Sequence, residues 1–152
     1  MDSLKKTQPG FTIIELTTII FIMAILTAIA IPFLAKFQPN LKLTGAARML
    51  TADLRLAQQL TVTEQTVHLI SLDTIGGTYG LLALGAATTT IKSVILPSDV
   101  FFDSASTTVS EIRFNSYGGT ASGGVGRIQL KNINDKTMII NIKPSGYVEL
   151  KD

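Results

Sequence analysis

The stretch Pro9-Gly10-Phe11-Thr12-Ile13-Ile14-Glu15-Leu16 (PGFTIIEL, residues 9–16) opens an apolar run that extends to about Ala35, with a carboxylate inside its first turns. The core of the run, FTIIELTTIIFIMAILTAIAI, covers residues 11–31. As a helix these 21 residues span roughly 31 Å, against a hydrocarbon core of about 30 Å. Glu15 is the only charge in it, and Thr12, Thr17, Thr18 and Thr27 have hydroxyls able to bond back to helix carbonyls. Lys5 and Lys6 precede the run and Lys36 follows it, so the excess of positive charge predicts a cytoplasmic N-terminus. Residues beyond about 36 then lie on the outer, extracytoplasmic side.

Three simpler readings compete for this segment. Ala28-Ile29-Ala30 resembles the cleavage site of a secretory signal peptide, but Ile31-Pro32 would follow the cut. The apolar stretch also exceeds the usual core of such a signal, about 7–15 residues. An ordinary signal anchor fits the length and leaves Glu15 as an unexplained penalty. A buried core helix is disfavoured, because apolar residues surround the whole circumference instead of forming a stripe.

Glu15 needs a partner, since a charge in mid-membrane costs about 2.5–3.5 kcal/mol on insertion scales, less near an end. A cut after Gly10 supplies one, because it leaves a positively charged amine on Phe11. That amine lies four residues before Glu15, and a helix does not easily fold its own terminus onto such a side chain. A parallel helix shifted axially by about one turn can bring its amine beside this carboxylate. A buried charge is tolerated when paired, so the pairing exists only in an assembly.

The chain has 152 residues, enough for one domain and not comfortably for two. Its net charge is +2 and 16% of residues are charged, which gives no electrostatic case for a nucleic-acid or acidic-substrate partner. It has no cysteine, which excludes disulfides, thiol chemistry and cysteine-based metal sites.

The basic leader, the string Gly10-Phe11-Thr12-Ile13-Ile14-Glu15-Leu16 and the apolar run ending at Pro32 together resemble the class III signal of type IV pilins and type II secretion pseudopilins. The resemblance implies cleavage between Gly10 and Phe11 by prepilin peptidase and N-methylation of Phe11. It further implies that Glu15 meets the N-terminus of a neighbouring subunit.

Pro32 and Pro39 cannot donate helical hydrogen bonds, so each either kinks one long helix or, at Pro39-Asn40, breaks it. From Asn40 the pattern is amphipathic. Leu43, Ala47, Leu50, Leu54, Ala57 and Leu60 form one apolar stripe, with Thr44, Arg48, Thr51, Arg55 and Gln58 facing away. The helix is predicted to end near Thr61-Val62-Thr63, making residues 12–62 a rod of roughly 75 Å. From Gln65 the period becomes two. Predicted strands are 66–72, 78–84, 91–96, 109–115, 125–131, 136–142 and 147–150, and 103–110 is predicted to be an exposed loop.

The second half, from AARMLTADLRLAQQL through TVHLISL, IRFNSYGG and GRIQLK to PSGYVEL, is similar to the FimT/GspH-type pseudopilin and minor-pilin domain. Some members of that branch bind DNA through a basic G-R-x-R element. The matching positions here, Gly146-Tyr147-Val148-Glu149, have no arginine and one acid. Phosphate binding needs clustered cations, so this departure argues against DNA. Arg113, Arg127, Lys131 and Lys143 are the remaining candidates for a basic cluster, weighed against ordinary solvated strand faces.

No catalytic or metal constellation stands out. His68 is the only histidine, expected as a half-exposed structural imidazole, and no G-x-S-x-G element accompanies it. Asp99 and Asp103 flank Val-Phe-Phe without the alternating oxygen ligands of a calcium loop. The glycines from Gly118 to Gly126 fit no phosphate-binding pattern and read as a flexible hairpin connection.

The expected fold class is therefore α+β, the pilin fold. Its parts are a leader (1–10), a transmembrane helix (11–35), an amphipathic continuation (36–63) and a β-rich head (64–152) on an antiparallel sheet or small sandwich. The expected function is structural, with no enzyme activity and no cofactor: a minor pilin or pseudopilin of a type IV pilus or type II secretion pseudopilus. The implied partners are other subunits through their helices, prepilin peptidase, an inner-membrane assembly platform and the lipid bilayer. A major pilin and a pilus-tip DNA receptor are the alternatives.

Overall fold

The structure is a computed structural model that describes residues 10–121 and 125–151. Its first element is one helix, α1 (Ile13–Glu64), 52 residues and so about 78 Å long. Thr12 caps its start: the Thr12 hydroxyl accepts the Glu15 N–H at 3.3 Å, and the Thr12 carbonyl accepts the Leu16 N–H at 3.2 Å. The helix runs through both Pro32 and Pro39, and the break offered at Pro39-Asn40 does not occur. Each proline removes only one bond of the helical ladder. Past its last turn, Gln65 takes a left-handed conformation (φ 55°), which ends the helix.

The chain divides into two compact units, Met1–Phe37 and Gln38–Asp152. In the first, the described helical residues are exposed throughout. Thr17, Thr18 and Thr27 return their hydroxyls to the carbonyls of Ile13, Ile14 and Met23 at 2.7–2.8 Å, as their spacing predicts. By length and composition α1 is apolar enough to cross a membrane.

The second unit contains the rest of α1 and eight strands: β1 (Val67–Asp73), β2 (Thr78–Leu84), β3 (Thr88–Ile95), β4 (Val100–Phe102), β5 (Glu111–Arg113), β6 (Gly126–Asn132), β7 (Thr137–Ile142) and β8 (Val148–Lys151). They form two four-stranded sheets, β3-β2-β1-β5 and β4-β6-β7-β8, in which every pairing is antiparallel. One core joins the helix to both sheets. Leu43, Ala47, Leu50, Leu54 and Ala57 pack with Ile70, Leu81 and Ile112 of one sheet and with Ile128, Leu130 and Ile140 of the other. Burying a side chain such as Leu50 contributes about 1.5–3 kcal/mol, so this stripe is what fastens helix to head.

Several expectations are corrected. Thr51 does not face away: it is 6% exposed and satisfies its hydroxyl on the Ala47 carbonyl at 2.8 Å. β4 lies where the sequence shows only Asp-Val-Phe-Phe-Asp, three residues being too few to display alternation. The loop expected at 103–110 is a loop, with none of its residues buried, and it is laced to the edge of β6, where the Thr108 N–H bonds the Arg127 carbonyl and the Thr108 hydroxyl accepts the Arg127 N–H, both at 2.9 Å. The glycine-rich stretch does not close a hairpin between β5 and β6, because those strands belong to different sheets. A tight turn at Asn115–Gly119 and a bridge between Phe114 and Thr120 begin that crossing. Residues 122–124 lie outside the described residues.

Candidate functional site

The N-terminal candidates sit together at the start of α1. Gly10, Phe11 and Thr12 precede the helix, Phe11 is exposed, and Glu15 occupies the first turn. A carboxylate there interacts favourably with the helix dipole, by about 0.3–1 kcal/mol. Thr12-x-x-Glu15 also has the spacing of a capping box. Glu15 thus has a local role as well as any role between subunits. Lys5, Lys6 and the rest of the leader to Pro9 lie outside the described residues.

In the head, the sequence does not single out Asp53, yet it is the most consequential acid there. It is 4% exposed on the buried face of α1. Its carboxylate accepts the Tyr79 hydroxyl at 2.7 Å and the Lys92 ammonium at 2.7 and 2.8 Å. A buried carboxylate is tolerated only with such partners. Burial pushes the Tyr79 hydroxyl far above its ordinary range, and the hydrogen bond and negative charge of Asp53 raise it further. The signal was available in the helical spacing, since Asp53 falls between Leu50 and Leu54 on the stripe.

His68 is fully buried instead of half-exposed. Its Nδ1–H donates to the Thr66 carbonyl at 2.8 Å, and Nε2 lies 3.3 Å from the Glu64 carboxylate without hydrogen-bond alignment. The Thr61 hydroxyl accepts the His68 N–H at 3.0 Å, so the histidine clasps the helix end to β1. Asn132, also fully buried, donates to Asn40 of α1 at 2.8 Å and accepts the N–H groups of Asn134 and Lys136 at 3.0 Å.

The four candidate cations are divided between the two sheets. Arg113 is in β5 of one sheet, whereas Arg127 and Lys131 are in β6 of the other and Lys143 follows β7. Arg113 pairs with Glu111, Lys131 with Asp135 at 2.7 Å, and Lys143 stands 3.8 Å from Glu149 and 5.2 Å from the Tyr147 ring centre. The acid beside each of Arg113 and Lys131 holds its pKa above the ordinary value. Asp99 and Asp103 also have separate partners: Asp99 binds Lys42 at 2.5 Å, and Asp103 accepts from Gln129 at 3.2 Å. Among the described residues, no group of three or more histidines and acids is placed to hold a metal.

A single long helix over two antiparallel sheets, apolar and exposed in its first turns, has the pilin fold. Solved structures with that architecture carry particular names. The minor pseudopilin EpsH from the type 2 secretion system of Vibrio cholerae is similar at TM-score 0.62 and 12% identity, over 72% of this chain and 96% of that one. The type IV minor pilin FimU of Pseudomonas aeruginosa is similar at TM-score 0.59 and 18% identity, over 76% and 92%. No protein-family model and no curated protein matches the sequence. At identities this low, the likeness shows the fold alone.

Proposed function

We propose that this chain is a structural subunit of pilin type, a minor pilin or pseudopilin that assembles through α1 into a type IV pilus or a type II secretion pseudopilus. The observation that carries the reading is the start of α1. Gly10-Phe11 lies exposed just before the helix, Glu15 is in its first turn, and the uncharged stretch from Leu16 to Ala35 has no cover among the described residues. A surface of that kind needs lipid first and other helices later. Prepilin peptidase cuts between Gly10 and Phe11 and N-methylates Phe11. The chain then spans the inner membrane once, N-terminus cytoplasmic, with Glu15 awaiting the amine of a neighbouring subunit. An inner-membrane platform draws it into the filament, and Pro32 and Pro39 are where α1 bends.

Mass spectrometry of the mature N-terminus tests this reading. A chain beginning at methylated Phe11 supports it. A chain beginning at Ile31 shows an ordinary signal peptide and overturns it.

A further inference from the structure

Each sheet ends in two outer strands, and three of these four are blunted or partly answered close by. β3 is interrupted by a bulge opposite Leu81 and Leu82. In β4 the Val100 N–H goes to the Pro97 carbonyl at 2.8 Å, and in β5 the Arg113 carbonyl accepts the Ala121 N–H at 2.9 Å. β8 differs. Its pairing with β7 is regular, and the bond from the Lys143 N–H to the Tyr147 carbonyl at 3.0 Å fixes its phase. Tyr147, Glu149 and Lys151 turn their backbone groups to β7, so Val148 and Leu150 turn theirs outward while their side chains pack on the core. Among the described residues, the Val148 N–H and both backbone groups of Leu150 have no partner.

The Val148 carbonyl is met only by the Arg55 guanidinium of α1, at a long 3.4 Å. Arg55 is exposed, and among the described residues no carboxylate lies within ion-pair reach of it. Along this edge runs a groove of about 440 Å³, walled by Arg55 and Gln58 of α1 on one side and by Ser145–Val148 on the other. An unpaired strand edge and an unpaired cation thus share one open groove.

We propose that the outer edge of β8 takes up an extended, acidic segment of a different protein, which adds a strand to the sheet and sets a carboxylate against Arg55. Outward N–H and C=O groups at alternate residues match an extended backbone. A helix spends its own backbone groups internally, and a nucleic acid has no such row. Arg55 selects for the acid, exchanging its long contact with a carbonyl for a charge-assisted pair. A second copy of the chain is a poor donor. The described acids of its head are already engaged, Asp99 by Lys42, Glu111 by Arg113 and Asp135 by Lys131 among them. The inference does not depend on the assembly of α1 into a filament.

The probe is a fluorescent synthetic peptide that alternates threonine with glutamate, titrated by anisotropy into the detergent-solubilised full chain. Saturable binding is expected, weakened about tenfold when glutamine replaces glutamate or when Arg55→Gln removes the cation. Methylating alternate backbone nitrogens of the peptide, which keeps its charge and removes its strand donors, is expected to abolish binding. Leu150→Pro removes one outward N–H without touching the bonds to β7 and is expected to weaken binding several-fold. If that variant does not fold, the methylated peptide makes the same test on the unaltered chain. Absence of binding overturns the inference. So does equal binding of the methylated peptide, or its replacement by single-stranded DNA at the same site, either of which shows a plain polyanion surface. A chain that sediments as a dimer and becomes monomeric with Leu150→Pro also overturns it, because a second copy then covers the edge.

Discussion

Asp53 of α1 and Lys92 of β3 form a two-pronged ion pair at 2.7 and 2.8 Å, in which the carboxylate is buried and the lysine side chain is partly in water. β3 is an edge strand with most of its residues exposed. Its register with β2 slips between Leu81 and Leu82, whose partners are Lys92 and Thr90, so Ile91 is the extra residue of a bulge. A bulge and an inward-turned charge are two ways of keeping an edge strand from pairing with other chains. The pair thus fastens β3 to the helix and blunts the edge at once.

Removing Lys92 leaves Asp53 buried with only the Tyr79 hydroxyl. Lys92→Met is expected to cost about 1–3 kcal/mol, below the roughly 3–5 of a fully buried pair because water already screens the lysine. Urea unfolding of the detergent-solubilised chain measures it. Asp53→Leu combined with Lys92→Met is expected to cost less than the sum of the two single changes. Strict additivity would show that the two groups are not coupled.

Tyr79 carries a pH dependence of definite sign. Its folded pKa is raised above the ordinary 10.0, so the folded chain keeps a proton that the unfolded chain releases. The stabilisation is whole below pH 10 and declines as pH rises above it. Tyr79→Phe is expected to cost about 1 kcal/mol at neutral pH, from the lost hydrogen bond to Asp53. It should also flatten the alkaline decline measured from pH 9 to 11. An unchanged slope would assign that decline to other groups.

Gly146 is held both by backbone and by space. Its φ is +81°, and a Cβ there would collide with the Gly118 carbonyl and the Gln58 amide. Gly77 has φ +64° and open space around its Cβ position. Gly77→Ala is expected to cost about 1–2 kcal/mol for the left-handed backbone alone. Gly146→Ala should exceed it by at least about 1 kcal/mol, since backbone must move as well. Equal thermal shifts in the two variants would show that the 118–146 contact yields cheaply.

Glu15→Ala separates the local role of the acid from the role proposed for it between subunits. Loss of the dipole interaction costs only about 0.3–1 kcal/mol, so insertion and cleavage at Gly10-Phe11 are expected to persist. Incorporation into sheared filaments, compared with the amount left in the membrane, is expected to fall sharply. Incorporation at the level of the unaltered chain would leave the acid with its capping-turn role alone.

Much of the fold is legible in short-range pattern. The helix is read from its apolar run and the stripe Leu43–Leu60. Six of the predicted strands overlap observed ones closely, and the 109–115 strand shrinks to β5. What pattern misses are residues whose role depends on a distant partner. Thr51 looks polar and therefore outward, yet a bond to its own helix lets it be buried. Asp53 breaks a hydrophobic stripe until Lys92, 39 residues later, arrives beside it. His68 alternates as a surface residue does, but lies beneath the helix end. The N-terminal candidates stand out in the sequence because their chemistry is local, a small residue, an aromatic, a capping threonine and an acid within six positions, and their roles in processing and assembly are proposals.

By itself, then, the sequence determined the long helix, its apolar first half, the antiparallel strands that follow and the placement of Gly10, Phe11 and Glu15. These depend on propensity and period, which act over a few residues. Only the tertiary structure decided that the strands divide into two sheets, that Asp53 has its cation, and that the outer edge of β8 lies open beside Arg55. Those features arise from packing between segments far apart in the chain, where the energy of a buried charge or an unpaired backbone group depends on what lies across from it.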